Sequence, residues 1–292
     1  MTGALWAAAS GIGFGLFQGL NRRAVRDIGD PYASTFLQLA IATAVLLAAT
    51  FATGEHAAVR EATAWGVAAF ALAGIIHFLG GWTFLNMSQL RIGAARTSPL
   101  LTLAPIFGAA AAAVVYQQLP SSIALLTMVP MVIGAYLVST RARGVEAGWR
   151  DSLPGLATAL MWGSSPVLTV EGLKTLHSPL AGVTIGMLAA TGAYALVLAW
   201  RGTGLQVRAI AGDALSFKVV AAVLVALATW WRWLALDHAT VAVVLALNLV
   251  SVPVVLFVAP LVVGRHLEHV TARVWLGCVL VVGGALALIF LG

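Results

Sequence analysis

The chain alternates between long apolar stretches and short polar connections, and ten apolar stretches can be placed along it. Each is about 18 residues or longer, which is enough for an α-helix to cross a hydrocarbon core of roughly 30 Å. The pattern therefore predicts an all-α polytopic membrane protein with ten transmembrane helices. The predicted segments are 3–20, 31–53, 63–88, 93–115, 121–140, 153–172, 179–200, 213–235, 239–262 and 272–291.

The second half of the chain repeats the pattern of the first. Trp82 matches Trp231 and Gly134 matches Gly283, both at an offset of 149 residues. Because each half contains an odd number of apolar segments, the second copy enters the membrane from the opposite side. We therefore expect two inverted five-helix repeats, an arrangement that commonly forms a transport site between its halves. The expected units are residues 1–140, a cytoplasmic linker at 141–152, and residues 153–292.

The composition agrees with a membrane protein and narrows the alternatives. Hydrophobic residues make up 61% of the 292 residues and charged residues 9%, whereas soluble domains carry about 25% charged residues. The net charge of +6 comes from basic residues scattered at the ends of apolar segments. It therefore reflects membrane topology, and nucleic-acid binding is not expected. The single cysteine, Cys278, is expected to act as a small apolar side chain.

The basic residues lie mostly on one predicted side of the membrane. The opposite side holds Arg60 and Lys174, and Arg232 lies inside the eighth segment, where we expect its side chain to extend outward along neighbouring rings. By the positive-inside rule the richer side faces the cytoplasm, so both termini are expected on the other side. The residues assigned to the cytoplasmic side are Arg22, Arg23, Arg26, Arg91, Arg96, Arg141, Arg143, Arg150, Arg201, Arg208, Lys218, Arg265 and Arg273.

Two groups of residues carry a family resemblance. The first half contains Leu90-Arg-Ile-Gly-Ala-Ala-Arg-Thr-Ser-Pro99, and the second contains Asn248-Leu-Val-Ser-Val-Pro253 followed by Gly264. With these motifs the chain resembles the drug/metabolite transporter (DMT) superfamily, in particular its ten-span EamA-type exporters. It is most similar to the aromatic amino-acid exporter branch, the YddG type. The resemblance implies a multi-pass transporter of the bacterial inner membrane, with both termini periplasmic, that exports amino acids by alternating access.

Two departures from the family pattern bear on proton coupling. Many relatives carry Gly-Glu after the fourth and ninth spans, where this chain has Gln117-Gln118 and Gly264-Arg265. The four-span members use a buried glutamate in their first span, and the first apolar segment here contains no acid. No Asp or Glu lies near the middle of any predicted segment. We therefore expect facilitated transport without a buried-carboxylate proton relay.

His77 is the ionisable residue that lies deepest in a predicted segment. A charged side chain at the centre of a bilayer costs about 2.5–3.5 kcal/mol on insertion scales, and such residues are often functional. Two interpretations are open: a histidine hydrogen-bonded between helices, or one that contacts substrate or carries a proton. Trp82 in the same segment likewise serves either as a packing residue or as a wall for an aromatic substrate.

The sixth segment contains the run Trp162-Gly-Ser-Ser-Pro166. Pro166 has no N–H, so it leaves the carbonyl of Trp162 unbonded and tends to kink the helix. Ser164 and Ser165 either satisfy freed backbone groups or contact a zwitterionic substrate beside the aromatic ring. We take this run as the substrate-contact segment.

Further candidates follow from the repeat and from polarity. At an offset of 148 residues, Phe14 and Gln18 occupy the positions that the tryptophan and proline of this run occupy in the sixth segment. Ser98 belongs to the fourth segment, and Asn248 and Ser251 belong to the corresponding ninth segment. Because Asn248 lies in an apolar run, it needs a partner on a neighbouring helix, in water or on the substrate.

These features predict a secondary transporter that exports amino acids or similar small metabolites. Its substrate would bind in a central cavity lined by segments one, three, four, six, eight and nine. A carrier of phosphorylated sugars, nucleotide-sugars or other organic anions is the alternative, and only Arg96 and Arg232 could then face the cavity. An intramembrane enzyme is not expected, because no HExxH motif, paired mid-segment carboxylates or nucleophile beside a histidine is present. No cofactor or metal is expected, and the partners are a small-molecule substrate and the lipid bilayer, with a monomer sufficient.

Overall fold

The structure is a computed structural model that describes residues 2–117, 121–139, 148–202, 212–238, 244, 247–268 and 270–291. Across these ranges the backbone is largely helical and contains no β-strand, which confirms the predicted all-α class. The α-helices are α1 (Thr2–Ile28), α2 (Pro31–Ala52), α3 (Ala64–Gly74), α4 (Gly81–Ile92), α5 (Ala94–Leu101), α6 (Ala104–Tyr116), α7 (Ser122–Ser139), α8 (Leu153–Leu173), α9 (Pro179–Trp200), α10 (Gly212–His238), α11 (Ser251–Val263) and α12 (Ala272–Leu291).

Two helices begin at local signals that the sequence carries. The side chain of Asp30 accepts a hydrogen bond from the backbone N–H of Tyr32 at 2.8 Å, and a proline occupies the first position of α2. Ser178 accepts in the same way from the backbone N–H of Ala181 at 3.0 Å, again with a proline at the start of α9. A polar cap followed by proline is favoured at helix starts, so both predicted starts are confirmed.

Three helical boundaries differ from the predicted segments. Helix α1 continues to Ile28 rather than ending near residue 20, because the polar side chains of its last turns have buried partners on other helices. The third segment contains a π-helical turn, Ile75–Gly80, between α3 and α4. The fourth segment breaks at Thr102 and Leu103, and Pro105 lies in the first turn of α6.

Several of these helices are long and apolar enough to cross a membrane, by length and composition. Large apolar side chains also cover the outside of the bundle: Leu126, Leu196 and Leu261 are each more than 70% exposed. Such a surface is expected where lipid replaces water, and the exact number of spans stays a prediction. The five helical stretches that qualify are Pro31–Ala52, Ala64–Ile92, Ala94–Val115, Pro179–Trp200 and Gly212–Ala235.

The two halves of the chain are interleaved in a reciprocal way. Helix α1 of the first half packs on α10 and α11 of the second, and α8 of the second packs on α3, α4 and α6 of the first. Helix α2 pairs with α9, and α7 pairs with α12. Each contact therefore has a counterpart when the halves are exchanged.

The paired helices run antiparallel. Thr43 on α2 shares a hydrogen bond of 2.8 Å with Thr191 on α9, while Thr50 further along α2 bonds to Thr184 nearer the start of α9. Residue numbers rise from Thr43 to Thr50 along α2, whereas those of their partners on α9 fall from 191 to 184. The two helices therefore run in opposite directions. Thr43 and Thr191 are also 148 residues apart, so this bond joins corresponding positions of the two halves.

Glycines on one face of α1 allow a close approach to the second half. Gly11, Gly15 and Gly19 recur every four residues and therefore lie on one side of the helix. A Cβ atom added at Gly15 would lie 2.9 Å from the carbonyl oxygen of Ser251, and one added at Gly11 would lie 2.7 Å from that of Leu247. The backbones are thus in near contact, as small residues permit in membrane helices.

Three basic residues that we assigned to the cytoplasmic side are buried inside the bundle. Lys218 is fully buried in α10, Arg22 is 7% exposed in α1, and Arg96 is 4% exposed in α5. The assignment of these residues to polar connections was wrong, because each has neighbours on other helices that a hydropathy pattern does not reveal. The distribution of the remaining basic residues still predicts that both termini face away from the cytoplasm. Residues 141–147 of the predicted linker lie outside the described residues, and Trp149–Ser152 forms a 3₁₀ turn.

Candidate functional site

A cavity of about 590 Å³ lies inside the bundle. Ligand pockets typically have volumes of about 300–1,000 Å³, so its size suits a small molecule. Segments one, three, four, six and eight line it as expected. Helices α9 and α12 also contribute, and no residue of the ninth segment lines it within the described part of the chain.

The centre of one cavity wall is a cluster of His77, Trp162 and Ser165. The imidazole ring of His77 stacks on the indole of Trp162, with 5.3 Å between centroids and 9° between planes. His77 Nδ1 is 2.8 Å from Ser165 Oγ, and the indole N–H of Trp162 donates to the carbonyl oxygen of His77 at 3.2 Å. His77 is therefore both hydrogen-bonded between helices and exposed to the cavity, so the two interpretations of its role are compatible.

The local backbone explains how these rings come so close. His77 lies in the π-helical turn, a feature that is rare in proteins and frequent at functional sites. Gly81 follows this turn, and a Cβ atom there would lie 2.5 Å from Trp162 Nε1. Any larger residue at this position would push the indole away from the histidine. The stacked pair therefore depends on a glycine that the sequence alone does not mark.

The kink in α8 supplies a backbone acceptor beside the rings. Pro166 lies inside α8 and lines the cavity. Because proline has no N–H, the carbonyl of Trp162 lacks its usual helical hydrogen bond. Trp162 itself lines the cavity, so this carbonyl belongs to the wall segment.

Arg232 is the cationic residue of the cavity wall. It is close enough to His77 for their charges to interact. Within the described residues its guanidinium forms no ion pair or hydrogen bond with protein, and no Asp or Glu lines the cavity. A guanidinium offers five N–H donors in a fixed planar arrangement that matches a carboxylate. The cavity therefore presents an unneutralised anion-binding group.

Aromatic rings form much of the remaining wall. Phe14 lies 6.5 Å from Trp162 between ring centroids, and Phe70 lies 5.7 Å from Trp233. All four residues line the cavity. Aromatic faces favour flat apolar groups and add about 0.5–1.5 kcal/mol per ring pair beyond area burial. The cavity thus combines one cation, a few hydrogen-bonding atoms and an aromatic surface.

Four of the ten predicted site residues lie on this cavity. They are Phe14, His77, Trp162 and Ser165. The sequence signals that identified them were an ionisable residue inside a span, a polar run beside a proline and, for Phe14, the offset of 148 residues to Trp162.

The other six predicted residues lie elsewhere. Trp82 is 1% exposed and packs against Phe17 and Phe78 in the core. Ser164 bonds to a carbonyl of its own helix. Asn248 donates to a carbonyl one turn earlier and accepts from Ser10.

Gln18, Ser98 and Ser251 complete this group. Gln18 is 2% exposed, and its backbone carbonyl oxygen accepts a hydrogen bond from Gln89 Nε2. Ser98 is 1% exposed, with an Oγ atom that has no hydrogen-bond partner in the described part of the chain. Ser251 begins α11, where its carbonyl oxygen faces α1.

A second polar site, which the sequence did not reveal, surrounds Lys218. Its Nζ donates to Asn21 Oδ1 at 2.6 Å and to Gln38 Oε1 at 2.8 Å. Asn21 in turn donates to Asn86 Oδ1 at 2.7 Å and to Gln89 Oε1 at 2.8 Å. We call this group the Lys218 cage. Its members are Lys218, Asn21, Gln38, Asn86, Gln89 and Thr35, which accepts from Asn86.

A buried ion pair lies next to the Lys218 cage. Arg22 Nε donates to Glu268 Oε1 at 2.8 Å, and both side chains are at most 8% exposed. Glu268 also accepts from the backbone N–H groups of Ala94 and Ala95 at 3.2 and 3.0 Å. A carboxylate at a helix N-terminus satisfies unpaired N–H groups. Glu268 therefore connects α1, the start of α5 and the segment after α11.

Arg232 was expected to extend outward along neighbouring rings, and to face the cavity only if the protein carried anions; it lines the cavity. The residues that sequence reasoning missed had weak signals. Lys218 falls inside the span predicted at 213–235, yet its position near the start resembled a residue at the membrane surface. Glu268 lies in a polar connection and carries no local sign of burial. Among the described residues no group of three or more His, Cys, Asp or Glu could hold a metal ion.

Comparison with known proteins supports the transporter class. Residues 1–140 match the model of the EamA-like transporter family. A solved crystal structure, described only as that of a protein, is similar with a TM-score of 0.62 and 20% sequence identity, over 96% of this chain and 95% of that chain. At this identity the likeness shows the fold alone. No curated protein matches the chain.

Proposed function

We propose that the protein is a secondary transporter that exports amino acids, aromatic ones included, or similar small metabolites across the bacterial inner membrane. The observation that carries this proposal is the guanidinium of Arg232, which has no ion-pair partner among the described residues, in a cavity walled by aromatic rings. The match of the first half to a transporter family supports the general class, and the chemistry of the cavity supports the substrate.

The cavity has a group for each part of an amino acid. The carboxylate would bind Arg232 through paired N–H donors. The ammonium would donate to the carbonyl of Trp162, which Pro166 deprives of its usual helical donor, and to Ser165, since the described lining residues include no carboxylate. The side chain would lie against Phe14 and the rings beyond it. This arrangement favours substrates with an apolar or aromatic side chain.

Alternating access is supported by the reciprocal packing of the two halves. Corresponding helices contact each other in antiparallel pairs, as two inverted repeats would. The cavity is lined by both halves, so a rocking motion of one half against the other would expose it to each side in turn. The bias of the basic residues supports periplasmic termini.

Uptake by proteoliposomes tests the proposal. Purified protein is reconstituted with an unlabelled amino acid inside, and exchange with labelled amino acid outside is measured for a panel of apolar, aromatic and charged species. We expect saturable exchange, strongest for apolar and aromatic amino acids. Exchange of none of them above protein-free vesicles would contradict the amino-acid proposal.

A carrier of organic anions is the second candidate, because Arg232 would also bind a phosphate ester. Within the described lining, Arg232 supplies one positive charge, whereas a phosphate carries close to two negative charges near neutral pH. Phosphorylated sugars are therefore included in the same panel. Exchange of phosphorylated sugars with no exchange of amino acids would establish the second candidate.

A further inference from the structure

Lys218 is a buried ionisable residue that the proposed transport cavity does not use. It is fully buried in α10, and its two acceptors, Asn21 Oδ1 and Gln38 Oε1, are neutral amide oxygens. In the part of the chain that the structure describes, no carboxylate contacts its ammonium. Lysines inside membrane proteins mostly pair with an acid or extend to the interface, and Lys218 does neither.

The neutral character of the acceptors has a chemical consequence. An ammonium paired with a buried carboxylate cannot lose its proton without leaving an uncompensated negative charge behind. Lys218 can release its proton as Lys–NH₃⁺ → Lys–NH₂ + H⁺ and leave only neutral groups in place. Its acceptors therefore permit two protonation states in one fold.

The charged and titratable groups on the surrounding helices do not set the state of Lys218. Arg22 of α1 is paired with Glu268, and Tyr194 of α9 bonds to Thr83. Arg91 at the end of α4 is exposed to solvent. Arg23 and Arg26 of α1 pair with Asp27 on the same helix. Asp30 caps α2, and the ring of Tyr32 on α2 packs under the guanidinium of Arg201, which follows α9. The remaining groups lie on α10 itself: Asp213, Arg232 and His238.

The Lys218 cage joins the two halves of the chain. Lys218 belongs to α10 of the second half, and its acceptors lie on α1 and α2 of the first. Asn21 then passes hydrogen bonds on to Asn86 and Gln89 of α4. Every donor in this series points away from Lys218, so a change in the charge of its amine affects each bond that follows.

Among the described residues, polar atoms in and beside the cage lack hydrogen-bond partners. Gln38 Nε2 is a buried donor without an acceptor, and Gln18 Oε1 on α1 is a buried acceptor without a donor. Ser34 Oγ, one turn before Gln38, is likewise unpaired. Atoms of this kind can bond a water molecule, which is what a proton needs to enter or leave the site.

The cage lies at a different level of the bundle from the cavity. Lys218 and Arg232 are 14 residues apart on α10, which corresponds to about 21 Å along a helix. Phe14 and Asn21 are seven residues apart on α1, or about 10 Å. The same two helices thus connect the two sites, so a change at one end can be transmitted to the other.

We propose that Lys218 is a proton-binding site whose protonation keeps this end of the bundle closed. The charged ammonium holds α10 against α1 and α2 through charge-assisted hydrogen bonds, which are the stronger kind. Release of the proton to water leaves an amine with weaker bonds and allows the halves to separate. The inference rests on the proposed transport function, and it adds pH control through a lysine, where we expected transport without a buried-carboxylate proton relay.

The first experiment measures amino-acid exchange with the same pH on both sides of the vesicle membrane. We expect the exchange rate to increase by at least about fivefold from mildly acidic to mildly alkaline pH, the lower end of typical coupling between linked sites. Lys218→Arg keeps a permanent charge and is expected to exchange slowly at every pH. Lys218→Gln is neutral and is expected to exchange rapidly at every pH. Lys174→Gln, at the exposed second lysine of the chain, is expected to keep the wild-type profile.

A spectroscopic measurement makes the test independent of transport. The chain has two lysines, Lys174 and Lys218, so ¹³Cε-lysine labelling gives two signals that Lys174→Arg assigns. We expect the Lys218 signal to titrate over the pH range in which the exchange rate changes. Exchange that does not depend on pH, a pH profile that survives in Lys218→Arg, or a Lys218 signal that does not titrate would each overturn the proposal. Absence of exchange for every amino acid would instead refute the proposed substrate, while the signal would still decide the protonation of Lys218.

Discussion

The cavity and the Lys218 cage both place polar groups inside an apolar bundle, but they use them in opposite ways. At the cavity, Arg232 has no ion-pair partner among the described residues, and Pro166 cannot donate the usual helical hydrogen bond to the carbonyl of Trp162. In the cage, Lys218 and Asn21 form four hydrogen bonds with neighbouring side chains. A site that binds a solute needs free capacity, whereas a contact that holds helices together needs occupied capacity. Substitutions at the two places should therefore change different quantities.

The largest effect is expected at the ion pair beside the cage. Glu268→Gln would leave the buried guanidinium of Arg22 without its counter-charge, which typically costs about 3–5 kcal/mol. We expect a large decrease in thermal stability, measured by the fraction of protein that stays monodisperse in detergent after heating. Glu171→Gln is the control, since its pair with Lys174 is exposed and such pairs contribute about 0–1 kcal/mol. Equal stability of both variants would contradict the view that the Arg22–Glu268 pair holds the helices together at the end of the bundle that contains the Lys218 cage.

The next largest effect is expected at the cavity and on transport. Arg232→Gln removes a hydrogen-bonding cation worth about 1.5–3 kcal/mol to a bound carboxylate, so exchange at low substrate concentration should decrease roughly ten- to hundredfold. Thermal stability should be unchanged or higher, because the cation that is removed has no ion-pair partner among the described residues. Arg201→Gln, outside the cavity, serves as the control. A stable Arg232→Gln protein with full exchange would refute the binding of a carboxylate at this residue.

A smaller effect is expected at the stacked pair. Trp162→Phe keeps an aromatic ring but loses the indole hydrogen bond to the carbonyl of His77, which is worth about 0.5–1.5 kcal/mol. We expect the apparent affinity for aromatic amino acids to decrease roughly threefold to tenfold, measured from the concentration dependence of exchange. Trp82→Phe, in the core, should lower stability and leave affinity unchanged. The same loss of affinity in both variants would show that packing, not contact with substrate, is responsible.

The smallest effect is expected at Ser98. Its buried Oγ has no partner among the described residues, so Ser98→Ala removes an unsatisfied group and should stabilise the protein by up to about 1 kcal/mol. Exchange should be unchanged. Ser165→Ala, which loses a bond to His77 at the cavity, should reduce exchange by severalfold. A tenfold loss of exchange in Ser98→Ala would place this serine on the path of the substrate.

Much of the fold could be predicted because it depends on local pattern. Apolar length predicted the helices, and a capping residue followed by proline predicted the starts of α2 and α9. The cavity was partly predictable for a similar reason. His77, Trp162 and Ser165 stand out along the chain, as an ionisable residue in a span or as polar residues beside a proline.

By itself the sequence determined that this is an all-helical, multi-pass membrane protein, and it identified four residues of the cavity wall, Phe14, His77, Trp162 and Ser165. The tertiary structure alone decided that Arg232 faces the cavity and that Lys218 and Arg22 are buried. The physical reason is that hydropathy records how much of a helix is apolar but not which helix lies opposite a given side chain. A basic residue near a span end has the same pattern whether it meets lipid headgroups or the amides of Asn21 and Gln38. Only the packing of α1 and α2 against α10 decides between them.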